Sequence, residues 1–126
     1  MNLRSIYNII SGLKSSDHGL QHWLMQKVTA IILIPTSLLF IYFFSLIIGE
    51  NHQSVTSFFN NKLISAITAI FIITALIHLR QGLQVVIEDY VHNMRLNRLL
   101  LKIISLSTVV LSVAAAAALG KLALVG

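Results

Sequence analysis

The residues able to do chemistry gather in one stretch of the chain, His78 to His92, with the sequence HLRQGLQVVIEDYVH. Its first residue closes an almost unbroken apolar run from Leu63 to Ile77. An ionisable side chain at membrane depth is a functional hypothesis by default, because polar groups are costly in hydrocarbon. No proline interrupts the sequence beyond His78, and Gly82 is its only weak helix former. A helix turns about 100° and rises about 1.5 Å per residue. Gln81, Gly82, Val85 and Asp89 therefore follow His78 along one face, at i+3, i+4, i+7 and i+11. Asp89 lies roughly 16 Å from His78 on that side. Tyr90 is its neighbour, and Arg80 points to the opposite face.

This stripe holds three chemistries. An imidazole in the membrane can ligate a metal through a neutral ring nitrogen. A glycine one turn further lets a flat group approach the backbone. An acid and a phenol then sit at the membrane edge. A planar metal macrocycle beside His78 and a proton-coupled ligand beside Asp89 and Tyr90 fit this order. So does a plainer arrangement, in which His78 bonds to a neighbouring helix and the rest is an ordinary polar helix end. Spacing alone favours the plainer arrangement.

The elements that must carry these residues follow from composition. Of 126 residues, 56% are hydrophobic and only 10% are charged. Soluble domains average roughly 25% charged, so the chain reads as an all-α integral membrane protein forming one domain over residues 1–126. With no cysteines it has no disulfide, no cysteine-held zinc and no iron–sulfur cluster of its own. The basic residues are scattered at helix ends and not clustered with aromatics, which argues against nucleic-acid binding. No nucleotide-type glycine-rich loop is present.

Three spanning helices are expected, at about 28–48, 63–87 and 99–119. Before them, Met1 to Leu13 repeats Leu3, Ile6, Tyr7, Ile10 and Leu13 near helical period, as a short helix lying in the membrane interface would. Ser15 to Gly19 reads as a loop, with Ser16 or Asp17 available as a helix cap. His22 and Trp23 suit the interface. Pro35 lies inside the first span and predicts a kink. Gly49 to Asn61 reads as a polar connection, and Glu88 to Lys102 as a basic one. Ala114 to Ala118 offers either a close helix contact or a lipid-facing run of alanines.

Two segments carry a family resemblance. HLRQGLQVVIEDYVH resembles the second-helix signature of the small, D-type membrane anchor of succinate dehydrogenase, respiratory complex II. HWLMQKVTA, His22 to Ala30, resembles the start of that family's first span, and the three-helix length agrees. The resemblance implies that His78 is an axial ligand of haem b, with Gly82 clearing room for the ring. It implies that Tyr90 bonds a ubiquinone carbonyl and that Asp89 supports that site. Lys27 and His22 become candidates to balance a haem propionate. The family often has Arg where this chain has Lys27, which keeps the charge and loses the two-pronged fork. Lys27 serves equally as an anchor reaching toward headgroups. Arg80 is expected to meet a partner subunit or the interface, while Glu88 and His92 are expected to be solvated.

Of five histidines only His78 falls within a spanning run, so a haem held by two membrane histidines needs its second ligand from another chain. The resemblance supplies the partners: a C-type hydrophobic anchor, an iron–sulfur subunit and a flavoprotein. The implied activity is that of a succinate:quinone oxidoreductase, with none expected of the isolated chain. The alternatives are a fumarate reductase anchor and a cofactor-free structural membrane protein. Arg4, Lys14, Lys27, Arg95, Arg98 and Lys102 share one side of the predicted topology, against Lys62 and Lys121 on the other. The positive-inside rule then places the N-terminus in the cytoplasm and the C-terminus in the periplasm, or in the corresponding mitochondrial compartments. With no long presequence visible, the expected location is a bacterial inner membrane.

Overall fold

The computed structural model describes the backbone of residues 2–15 and 18–125. They form five helices in chain order: α1 Leu3–Ser15, α2 His18–Ile47, α3 His52–Phe59, α4 Lys62–Tyr90 and α5 Met94–Leu124. Three of these, α2, α4 and α5, are long and apolar enough to cross a membrane. The expected all-helical architecture and the short N-terminal helix are both present.

The spanning helices run longer than predicted. The first begins at His18, so Gly19 and the polar residues up to Lys27 are helical. The expected loop there can include only Ser16 and Asp17, which lie outside the described residues, as does the cap assigned to them. Past Pro35 the helix continues to Ile47. Thr36 donates to the Ile32 carbonyl at 2.7 Å close by. Gly49, at φ +82°, then turns the chain out of the helix.

The predicted polar connection instead contains α3. Asn51 caps it by accepting from the Ser54 amide at 2.8 Å. The basic connection is also mostly helical, and only Val91 to Asn93 separates α4 from α5. Asn61 and Asn93 cap those two helices, each accepting from two backbone amides of the following turn. A capping side chain satisfies amides that a helix start leaves orphaned, so each asparagine fixes where its helix begins.

The α4 helix is central. It packs along α2 on one side and α5 on the other, and α2 and α5 do not touch among the described residues. Thr29 meets His78, while Phe40 stacks on Phe71 with ring centroids 4.5 Å apart. The first pair moves up α2 as the second moves back along α4, so the two helices are antiparallel. Phe43, Phe58 and Phe59 continue the aromatic cluster toward α3, and the Ser65 hydroxyl donates to the Phe59 carbonyl.

Burial is the reverse of a water-soluble domain. Thr29, Ser65, Thr68, Thr74 and Gln81 are buried, whereas most of the large apolar side chains are exposed. Lipid tails are as apolar as leucine, so helix association in a membrane rests on close packing and interhelical hydrogen bonds. Small and polar residues therefore line the contacts here. The alanine run divides between its two readings. Ala116, with Leu119, Gly120 and Ala123, borders a shallow recess against Ser65, Ala66 and Ala69 of α4. Ala114, Ala117 and Ala118 are exposed.

Candidate functional site

The site is built on the α2–α4 contact. Leu, Ile and Thr residues carry α4 through its apolar core, and the helix persists past His78 without a break. His78 and Gln81, one turn apart, both face α2. There they meet Thr29, which is only 5% exposed. The Thr29 hydroxyl oxygen lies 2.9 Å from His78 Nδ1 and 3.2 Å from Gln81 Oε1. It also lies 2.9 Å from the Met25 carbonyl and 3.0 Å from the Gln26 carbonyl of its own helix. The result is a buried polar junction within the α2–α4 contact.

His78 is half-buried. Its Nδ1 is engaged by Thr29, and among the described residues its Nε2 has no hydrogen-bond partner and is not enclosed. Gly82, one turn on, faces open space: a Cβ added there meets nothing within 4 Å. These features fit a porphyrin approaching from outside the chain, with the imidazole offering Nε2 and the glycine leaving the backbone uncovered. Among the described residues no group of three His, Cys, Asp or Glu side chains converges.

The other predicted residues separate into two places. Asp89 and Tyr90 occupy the last turn of α4, both exposed, Tyr90 at 78%. Among the described residues no hydrogen bond joins Asp89 to Tyr90. Glu88 accepts from Gln84 Nε2 at 3.0 Å, one turn back. His92 is exposed just beyond the helix.

On α2, His22 precedes Thr29 by two turns, on the same face. Its Nε2 is buried without a hydrogen-bond partner. Lys27 is exposed and holds its ammonium 5.7 Å from the Trp23 ring centroid, a cation–π contact. On an ideal helix it stands about 200° round from Thr29, away from His78. Arg80 does point away from His78, as expected, but its partner lies within the chain: its Nε donates to Ser105 of α5 at 3.1 Å.

Two contributors escaped the sequence. Thr29 lies inside the quoted HWLMQKVTA segment, but a threonine in a span reads first as filler. The signal available was its position two turns after His22 together with a glutamine in the His78 stripe. Asn97 is the other. Its amide donates to the carbonyls of Ile87 at 3.3 Å and Val91 at 3.1 Å, closing the end of α4 beneath Asp89 and Tyr90.

The chain matches the model of the succinate dehydrogenase/fumarate reductase transmembrane subunit family over residues 1–118. It belongs to that family. Among its relatives, the succinate dehydrogenase hydrophobic membrane anchor subunit of Rickettsia conorii is 36% identical, the match covering 83% of this chain and 84% of the relative. The subunit of the same name from Rickettsia bellii is 36% identical over 76% of this chain and 79% of its own length. The succinate dehydrogenase membrane anchor subunit of Reclinomonas americana is 34% identical over 59% of this chain and 64% of its own. No solved structure matches the chain. The anchor-family resemblance carried by the second helix thus extends over almost the whole molecule.

Proposed function

We propose that the chain is the small membrane anchor of a succinate:quinone oxidoreductase in a bacterial inner membrane. It shares haem b and a ubiquinone-reduction site with partner subunits. The observation that carries this reading is family membership across residues 1–118, which includes both spans that frame His78. The partners are a second hydrophobic anchor, an iron–sulfur subunit and a flavoprotein in which succinate is oxidised. The basic residues Arg95, Arg98 and Lys102, within twelve residues after Tyr90, support a cytoplasmic placement of that end of α4. The soluble subunits dock there.

Haem b, when bound, supplies a one-electron iron centre. His78 binds it through Nε2, with Nδ1 held by Thr29. Gly82 leaves space for the ring face. His22, whose buried Nε2 lacks a partner, supplies a donor for a propionate. Lys27 serves at the same charge only by turning from Trp23, so His22 is the better placed of the two. At the other end of α4, the Tyr90 phenol donates to a ubiquinone carbonyl and steadies the charge that builds there as electrons arrive. Asp89, exposed to the cytoplasmic side, holds a water and passes protons to the reduced oxygen. The exposure of both residues supports a site that partner subunits complete.

The test is purification of the complex. An affinity tag on this chain should bring down three other subunits with succinate–ubiquinone activity and a reduced-minus-oxidised haem b spectrum. A colourless preparation lacking the flavoprotein would refute the reading. A second reading has its own support: the Thr29–His78–Gln81 junction also suffices as interhelical glue in a cofactor-free structural protein. It predicts that His78→Ala changes no spectrum. Membership of the family fits a fumarate reductase anchor equally, since direction is set by the potentials of the bound cofactors.

A further inference from the structure

The buried junction poses a proton-counting problem. The Thr29 hydroxyl carries one proton and has two lone pairs. Around it stand three oxygen acceptors, the carbonyls of Met25 and Gln26 and the Gln81 side-chain oxygen, at 2.9, 3.0 and 3.2 Å. One hydroxyl proton cannot serve them all. The fourth neighbour, His78 Nδ1 at 2.9 Å, is a ring nitrogen that either gives or takes a proton. If Nδ1 took the Thr29 proton, the three oxygens would compete with it for one hydrogen and the hydroxyl lone pairs would go unused. If Nδ1 carries the proton, it donates to Thr29, and the hydroxyl proton goes on to one of the oxygens. The second arrangement makes one more hydrogen bond in a junction where Thr29 and Gln81 are each only 5% exposed.

We infer that Thr29 is the positioning residue of His78, selecting the imidazole tautomer with its proton on Nδ1 and a bare lone pair on Nε2. This inference rests on the haem reading above and deepens it. The tautomer is chosen by the fold before any iron arrives, so the ligand needs no proton shift on binding. Whichever of the three oxygens accepts from the Thr29 hydroxyl extends the chain of bonds and makes the hydroxyl oxygen a better acceptor for the ring N–H. An imidazole that donates to a good acceptor is a stronger ligand and favours the ferric state. Thr29 therefore lowers the haem midpoint potential as well as strengthening haem binding.

The experiment uses the purified four-subunit complex carrying Thr29→Val, Thr29→Ala or Thr29→Ser, with His78→Ala as control. Haem-to-flavin ratio, redox titration and the electron paramagnetic resonance of the ferric haem are read. Valine keeps the volume and removes the hydroxyl, alanine removes both, and serine keeps the hydroxyl. Expected are a higher midpoint potential and altered ferric spectrum in the valine and alanine variants, haem affinity lower by about 10- to 100-fold, and wild-type values in the serine variant. If valine blocks assembly, the alanine variant decides. Unchanged potential and spectrum without the hydroxyl would overturn the role of Thr29 while leaving the haem reading intact, as would a serine variant that behaves like valine. Haem unchanged in His78→Ala would instead overturn the haem reading itself.

Discussion

At the scale of single residues, the two ends of the His78 stripe face opposite demands. His78 and Gln81 are held by a buried hydroxyl, whereas Asp89 and Tyr90 have no hydrogen bond to one another and stand exposed. On the proposed reading, the first pair is prepared for a ligand by its own chain and the second would be completed by a partner. Tyr90→Phe removes one hydrogen-bond donor and little else, because the side chain is 78% exposed and supports no packing. Quinone reduction should slow by on the order of 100-fold, in line with losing one donor to a developing oxyanion. Succinate oxidation by an artificial dye acceptor should be unchanged, since it bypasses the quinone. Equal losses in both assays would count against the phenol. The histidine, glycine, acid and phenol were all legible as a spaced set. Thr29 was not, because a partner 49 positions away is set by how two helices dock, and one sequence carries no record of docking.

At the scale of elements, asparagines mark the boundaries that hydropathy missed. Asn51, Asn61 and Asn93 each begin a helix, and Asn97 reaches back to the last carbonyls of α4. Hydropathy locates the portion of a helix that sits in hydrocarbon. Polar turns at either end stay helical because capped ends and backbone bonds continue to favour them. That is why the spans were placed correctly and drawn short, and why α3 read as a connection. Asn97→Ala should free the Val91 carbonyl, leave the Ile87 carbonyl with the Val91 amide alone, and loosen the final turn of α4. Two neutral hydrogen bonds at about 0.5–1.5 kcal/mol each set the scale of the lost stability. The measurable result is a lower melting temperature of the complex together with a higher KM for ubiquinone, because the frayed turn carries Asp89 and Tyr90. A wild-type KM would separate this turn from the quinone site.

At the scale of the molecule, three spanning helices form an open row with α4 in the middle. A closed bundle would surround a porphyrin; a row presents one flank to it. Among the described residues His78 Nε2 has no hydrogen-bond partner and Gly82 faces open space, so on the haem reading a second subunit would supply the opposite wall and the other ligand. The chain expressed alone in detergent should therefore show no haem b spectrum, and co-expression with the second anchor should restore it. Colour in the isolated chain would mean either a haem held by one His78 or two copies sharing one haem, which sedimentation would separate as monomer or dimer. The sequence expectation that His78 alone of the histidines lies in a span needs correcting, because α2 starts early enough to carry His22 within its candidate span; polar neighbours hid that turn from hydropathy.

The unbroken course of α4 from His78 to Tyr90 has a further consequence. Twelve residues of rigid helix set the imidazole and the phenol about 18 Å apart along the axis. The chain thus acts as a ruler: whatever docks at either mark inherits a fixed separation, and on the haem and quinone reading that backbone length would govern electron exchange between them.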